Sequence, residues 1–403
     1  MLAGQTEHQD GALLPEFLLA AACCRWPPSA ERETAVRVAA KRGADWDRFL
    51  HLVKRHRVPG LVNDTLRSIA IALPSSAAYE MVELVQLNVR HNLKLAAETS
   101  RLQNLLAAVG IPAIALKGAA LEQLAYSSLS FKQTRDIDLL VPPERAEAAL
   151  QLLERDGYTL SLPAERLSRI QRRALFRYGR EIELVDLRTR LRLELQWRAA
   201  DNAVLLQGID AHAATQTVTP SDGVSLRTLA PDNLFAYLCV HGAHHSWSRL
   251  KWLADLNALI ATSQPDIEHL FRHAQKIGAG ICAGQALLLC QRLFGLKLPD
   301  VIARDLEVNG RCQRLVAIAI AAMVAHDAPT DRDGGIRGVI RELRNQLLLG
   351  RGLRFYATQC RLAYAGVADI VSVPLPRPLH FIYPFLRVPL WLWRRAKLAL
   401  TTL

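Results

Sequence analysis

The stretch DIDLLV, residues 136–141, decides how this chain reads. It is short, apolar at alternate positions and stopped by Pro142-Pro143, the pattern of a strand. Residues i and i+2 of a strand share a face, so Asp136 and Asp138 point together while Ile137 and Leu139 face a core. Two adjacent carboxylates repel unless a cation sits between them, which is the arrangement Mg²⁺ needs for phosphoryl chemistry.

Upstream, the apolar run IPAIAL (111–116) ends at Lys117-Gly118, and a helix-like stretch from Ala119 to Tyr126 follows. A glycine at a strand-to-helix turn lets backbone N–H groups approach phosphates, and a helix N-terminus favours negative charge. Lys117 adds a point charge there. Downstream of the strand, ERAEAALQLLERDGY reads as a helix with Glu144 in its first turn and Gly157 at its end. REIELVD (180–186) and LRLELQW (191–197) flank the turn LRTR and read as a hairpin. Glu194 lies between Leu193 and Leu195 and points away from the face they cover. It completes a triad of acids if its strand neighbours DIDLLV, with Glu183 and Asp186 as rivals for that place.

The flanks change period. WDRFLHLVKRHRVPGLVNDTLRSI (46–69) and the segment from Ala77 to Val109 repeat apolar residues at helical spacing. From Pro231 to about residue 365 the chain is helical again, with Asp232 placed to cap the helix through His241. TQTVTPSDG (215–223) reads as the break between domains. The expected architecture is α+β, a small mixed β-sheet core embedded between helical regions. Its divisions are a helical region 1–108, an α/β core 109–220, a helical domain 221–373 and an aromatic, basic tail 374–403.

Composition bounds the function. The 403 residues are half apolar and carry a net charge of +12 with a mean hydropathy of +0.08. That excludes a disordered acidic chain, a collagen-like one and a multi-span membrane protein. The positive balance suits a polyanionic partner: nucleic acid, nucleotide or membrane surface. The seven cysteines form no C-x-x-C and mostly sit in apolar helical context, as core thiols of a reducing compartment do. MLAGQTEHQDG lacks the features of a signal peptide, and no run reaches the roughly 18 uncharged apolar residues of a spanning helix. The expected location is the cytoplasm.

LKGAALEQLAYSSLSFKQTRDIDLLVPPERAEAALQLLERDGY (116–158) resembles the core of the bacterial nucleotidyltransferase-like proteins of the DNA polymerase β superfamily. The resemblance extends to RHRVPGLV (55–62) and HGAHHSWSRLKWLADLNALI (241–260). It implies a polymerase β-like core and transfer of a nucleoside monophosphate from an NTP to an acceptor hydroxyl, with pyrophosphate released. It implies Mg²⁺ as cofactor, in a two-metal site, with Asp136 and Asp138 as the metal-binding pair and Glu194 as the third, catalytic acid. Gly118 matches the phosphate-loop glycine, and Lys117, Ala119, Lys132, Arg249 and Lys251 are the other candidate nucleotide contacts. Three positions depart from the pattern. Gly118-Ala119 replaces Gly-Ser, Gln196 stands where relatives often carry His, and Lys132 stands where they commonly carry Arg. The competing reading is a catalytically weak or inactive nucleotide-binding or antitoxin-like protein of the same fold.

Other features stay open. His241 and His245 share a helix face at metal-pair spacing, but the Glu of H-E-x-x-H is missing. A helix–helix junction competes there with nucleotide contact, in which Arg249 or Lys251 meets phosphate and Trp247 or His245 a base. Arg166, Arg169, Arg172, Arg173 and Arg177 read as a solvated or inter-domain face, and no specific nucleic-acid motif is present. The tail mixes Phe381, Phe385, Trp391 and Trp393 with Arg387, Arg394, Arg395 and Lys397. That composition suits peripheral membrane contact, against packing on the helical domain. The acceptor is unidentified.

Overall fold

A computed structural model describes residues 13–161, 167–325 and 336–364, and scattered positions between 369 and 393. The helices come first. They are α1 (Pro15–Cys23), α2 (Ala30–Ala40), α3 (Trp46–His56), α4 (Pro59–Ser68) and the 33-residue α5 (Ser75–Ala107). Asp45 starts α3 by accepting from the amides of Asp47 and Arg48, an N-cap of the usual kind. Arg57 ends it in the left-handed region at φ 58°, and Pro59 opens α4 at once.

The strands are β1 (Ile114–Ala115), β2 (Asp136–Leu140), β3 (Tyr158–Leu160), β4 (Glu181–Asp186), β5 (Arg192–Gln196), β6 (Thr215–Ser221) and β7 (Val224–Leu229). They form one mixed seven-stranded sheet in the order β3-β4-β5-β2-β1-β7-β6. The β4–β5 hairpin is antiparallel, as its turn predicts, and β5 runs parallel to β2. Residues 215–229 are not a break. They fold as the β6–β7 hairpin, and β7 pairs in parallel with β1, so the sheet continues past residue 220. Three helices accompany the strands: α6 (Ala119–Tyr126), α7 (Ala146–Arg155) and α8 (Arg169–Tyr178).

The C-terminal half is helical: α9 (Pro231–His244), α10 (Leu250–Ser263), α11 (Ile267–Lys276), α12 (Gly280–Phe294), α13 (Asp300–Glu307), α14 (Gly310–Val324), α15 (Ile336–Gln346) and α16 (Leu353–Tyr364). Asp232 does not cap α9. Ala230 is the cap residue, Pro231 occupies the first turn, and the Asp232 carboxylate meets His269 at 3.0 Å.

Apolar burial joins what the sequence separates. Phe17, Phe49 and Val53 from the N-terminal helices share one core with Phe235, Trp247, Leu253, Leu287 and Val316 from the C-terminal ones. A second core lies under the sheet, where Ile137, Leu139, Leu193, Leu195 and Trp197 meet Leu102 and Leu106 of α5 and Leu150 of α7. Among the described residues no helix is long and apolar enough to cross a membrane. Phe381, Phe385 and Trp393 are exposed, while Trp391, Arg387, Arg394, Arg395 and Lys397 lie outside the described residues, as does Arg166. On α8, Arg169, Arg173 and Arg177 are exposed and Arg172 pairs with Glu154 at 2.7 Å, a solvated face.

Candidate active site

Strand register builds the site. In β2 the alternation buries Ile137 and Leu139 and turns Asp136 and Asp138 to the other face. The parallel β2–β5 ladder sets Asp138 beside Glu194, so the three carboxylates share one face. Glu183 stands opposite Glu194 on that face, but its carboxylate is paired with Arg192 at 3.2 Å. Asp186 belongs to the other face and is held in the β4–β5 turn by the Thr189 hydroxyl at 2.6 Å and the Arg188 amide at 3.0 Å. Of the three candidates, Glu194 is the one set in register with Asp138 on that face.

The Asp138 side chain has no exposure, and Lys117 brings its ammonium to 2.9 Å from Asp138 Oδ1. Gln196 Nε2 donates to the same oxygen at 3.1 Å and to Glu194 Oε2 at 3.3 Å. Asp138 Oδ2 is buried without a hydrogen-bond partner among the described residues. Burial pushes the Asp138 carboxyl well above the usual range; Lys117 opposes this, and the neighbouring carboxylates of Asp136 and Glu194 add to it. Burial acts the same way on Asp136, yet Lys117, Lys251 and Arg57 together bring its carboxyl below the usual range. Burial alone would depress the Lys117 ammonium, but Asp138, Asp136 and Glu194 hold it well above its ordinary value.

Gly118 sits between β1 and α6 at φ 73° and ψ −137°, a conformation that penalises any side chain. No side chain caps α6, and Ala119 is buried at its first position, presenting a methyl where a hydroxyl would reach outward.

The loop from 127 to 135 that leads into β2 is fixed from beneath. Asn92 of α5 donates to Glu122, to the Leu129 carbonyl and to the Lys132 carbonyl at 2.8–3.1 Å. Glu122 accepts from the Phe131 and Lys132 amides. Burial raises the Glu122 carboxyl to about 8, against the pull of Lys132 and those amides. Lys132 is buried and its ammonium is paired with Asp255 at 2.9 Å, while Tyr126 donates to the other Asp255 oxygen. This cation lines the site but is already neutralised, which the sequence reading of Lys132 did not foresee.

Lys117, Gly118, Lys132, Asp136, Asp138 and Lys251 line one cavity, closed over by Leu238 and His241 of α9 and Trp252 of α10. Its volume is about 20 Å³, room for a water or an ion. Of the site residues expected from the sequence, Ala119, Glu194 and Arg249 are not among its lining residues. Arg249 reaches the Arg55 carbonyl at 3.0 Å, and Lys251 donates to the Gln133 carbonyl at 3.1 Å. Burial, then Arg57 and Lys132, pull the Lys251 ammonium well below its ordinary range.

The histidines divide. His241 lines the cavity with Nε2 unpartnered among the described residues, its ring set between Tyr237, His245 and Trp252. Burial, then Lys117, holds its imidazole neutral. Trp247 has no exposure and packs against Gly242, where an added Cβ would meet its ring at 2.5 Å. It is a core residue and cannot stack on a nucleobase. The His241 and His245 rings meet edge to face at 4.8 Å. Among the described residues no group of three or more His, Cys, Asp and Glu is spaced to hold a metal ion.

The chemistry of the donor set nonetheless fits a divalent cation. Its oxygens are carboxylate, one of them buried and unpartnered, and the cluster already recruits an ammonium to offset its charge. The sequence reading missed Arg57, Arg135 and Tyr237. Arg57 lies inside RHRVPGLV, Arg135 immediately precedes DIDLLV, and Tyr237 lies one helical turn before His241.

A sequence model described as an uncharacterised nucleotidyltransferase matches residues 42–295, more than half of the chain. That span takes in the whole sheet, the carboxylate face and the helices α9 and α10 that cover it. No curated protein matches the chain.

Proposed function

The chain belongs to the uncharacterised nucleotidyltransferase family, and we propose that it is a Mg²⁺-dependent enzyme moving a nucleoside monophosphate from an NTP to an acceptor hydroxyl. The observation that supports this best is the in-register pair Asp138 and Glu194, with Asp136 on the same face and the Gly118 turn alongside. A divalent cation on Asp136 and Asp138 would neutralise the triphosphate and make its α-phosphorus a better electrophile. Gly118 and the uncapped amides of α6 receive the β and γ oxygens, and Lys117 adds positive charge beside them. Glu194 accepts the proton of the acceptor hydroxyl as its oxygen attacks the α-phosphorus. The α–β bridging bond breaks as the new O–P bond forms, and pyrophosphate leaves. Orientation and electrostatic stabilisation supply most of the rate.

A second reading has its own support. The cavity is small, Lys117 already pairs with Asp138, and Ala119 and Gln196 replace polar residues of the pattern. On that reading the chain binds nucleotide without turning it over. The free thiols, six of them buried, support a reducing compartment such as the cytoplasm.

The test is transfer of label from each α-³²P-labelled NTP into cell extract. The proposed enzyme labels a macromolecule or metabolite, and Asp136→Asn with Asp138→Asn abolishes this in a protein that melts normally. Labelling that survives the double substitution would overturn the mechanism. A folded wild type that labels nothing with any NTP would favour the binding reading.

A further inference from the structure

The segment after Pro374 combines apolar character with exposure. Among the described residues the strongly exposed aromatic side chains are Tyr79 of α5 and, all in this one segment, Phe381, Phe385 and Trp393, at 58 %, 77 % and 54 %. Exposure recurs at every fourth position, Phe381, Phe385, Pro389 and Trp393. Between them Ile382, Leu386 and Leu390 are half-buried and Tyr383 is fully buried. The segment thus has an inward and an outward side, and both are apolar. An element apolar all round belongs in a core or against lipid, and water is the poorer solvent for its outer side. The base of the stripe is held: the Tyr383 hydroxyl donates to the Val373 carbonyl at 2.9 Å and accepts from the Leu375 amide at 3.0 Å.

Charge says what covers the outer side. Residues 374–403 hold Arg377, Arg387, Arg394, Arg395 and Lys397 and no Asp or Glu. These cations on two copies repel, which opposes a homodimer through this face. A nucleic-acid strand would take the cations and could stack on a ring, but it has no use for the aliphatic Leu379, Leu386 and Leu390 of the same segment. An anionic bilayer uses all three features. Aromatic rings settle at the headgroup level, aliphatic side chains at the acyl boundary, and cations on the lipid phosphates. Pro384 and Pro389 interrupt a continuous helix, so the contact is with the bilayer surface.

We propose that residues 379–393, with the cations around them, are an interfacial anchor that docks the protein on an anionic phospholipid surface. Phe381, Phe385 and Trp393 enter the headgroup layer, and the cations draw the chain to it. The anchor is independent of the nucleotidyl-transfer reading, since it needs neither nucleotide nor the carboxylate face.

The test is flotation of the full chain, without nucleotide or metal, on two kinds of vesicle: phosphatidylcholine alone, and an equimolar mixture with phosphatidylglycerol. Wild type floats with the anionic vesicles and not with the neutral ones. Phe381→Ser with Phe385→Ser melts as wild type, because both side chains are exposed, and weakens partition at least about tenfold, the worth of an aromatic side chain taken out of water. Arg394→Gln with Arg395→Gln weakens it roughly thirtyfold, at about fivefold for each cation near an anionic surface. Tyr79→Ser, at the exposed aromatic of α5, changes nothing. Folded wild type that floats with neither vesicle overturns the anchor. So does anionic-vesicle binding that the phenylalanine pair leaves untouched, which would be charge attraction without insertion. A wild type that is dimeric by analytical ultracentrifugation, made monomeric by the phenylalanine pair and bound to no vesicle, would give the face to a second copy instead.

Discussion

Replacing Lys117 by Met removes the only ammonium within ion-pair distance of Asp138 among the described residues and keeps most of the aliphatic stem. The pair is at 2.9 Å, with side-chain exposures of 18 % for Lys117 and none for Asp138. Stripping one partner from such a pair costs about 3–5 kcal/mol, because the other charge stays buried. For a chain of this size that corresponds to a fall in Tm of roughly 4–6 °C. The carboxylates have two ways to recover. They can take up protons, toward which Asp138 is already displaced, so the loss should be smaller at pH 6 than at pH 8. The sign is consistent: a carboxyl whose folded-state pKa is raised makes the fold less stable as pH rises from its unfolded value through its folded one. Lys117 itself, held above its ordinary range, stays charged across that window and contributes no slope. Alternatively they can bind a divalent cation, and a ligand at 100 times its Kd returns about 2.7 kcal/mol. Calorimetric melts of wild type and Lys117→Met, in EDTA and in MgCl₂ at both pH values, separate these effects. Mg²⁺ should raise the variant's Tm by more than it raises the wild type's. An equal loss at both pH values, with no greater recovery in metal, would refute the reasoning.

Lys132→Met and Asp255→Asn should each destabilise by about 3–5 kcal/mol in urea melts, since both side chains are nearly fully buried. An unchanged midpoint with weakened NTP affinity would return Lys132 to the nucleotide. Gly60→Ala should cost about 3 kcal/mol, because the new Cβ falls 2.6 Å from Phe131 Cα and 2.7 Å from its carbonyl, forcing two backbones apart. A wild-type melt would show that the first turn of α4 does not clamp the loop before β2. Glu122, raised to about 8 by burial, holds a proton in the fold that the unfolded chain releases near 4.5. Its contribution makes the protein less stable as pH climbs from 4.5 through 8, by on the order of 5 kcal/mol in total. Urea midpoints of Glu122→Gln should show a flatter pH profile than wild type over that range.

The carboxylate face was legible because its information is local. An i, i+2 pair in a strand fixes its own geometry, and Glu194 between two leucines fixes its face before its partner is known. The Lys117-Gly118 turn was legible for the same reason. Charge pairing was not, because it is set by contacts across the fold. Lys132 meets Asp255 across 123 positions, and no local pattern tells which of several nearby cations is neutralised in this way. The β6–β7 hairpin reads as a break in the sequence because Thr, Ser, Pro and Gly dominate it, and its parallel partner β1 lies over 100 residues earlier. Trp247 has an aromatic's capacity to stack on a base, and only the close approach of Gly242 shows that it is buried.

The most direct test of the central claim is calorimetric titration of NTP into the full chain, with and without Mg²⁺, for wild type and for Asp136→Asn with Asp138→Asn. The account predicts wild-type binding strengthened by Mg²⁺ and loss of that strengthening in the double variant. Metal-independent NTP binding, identical in the two proteins, would contradict it.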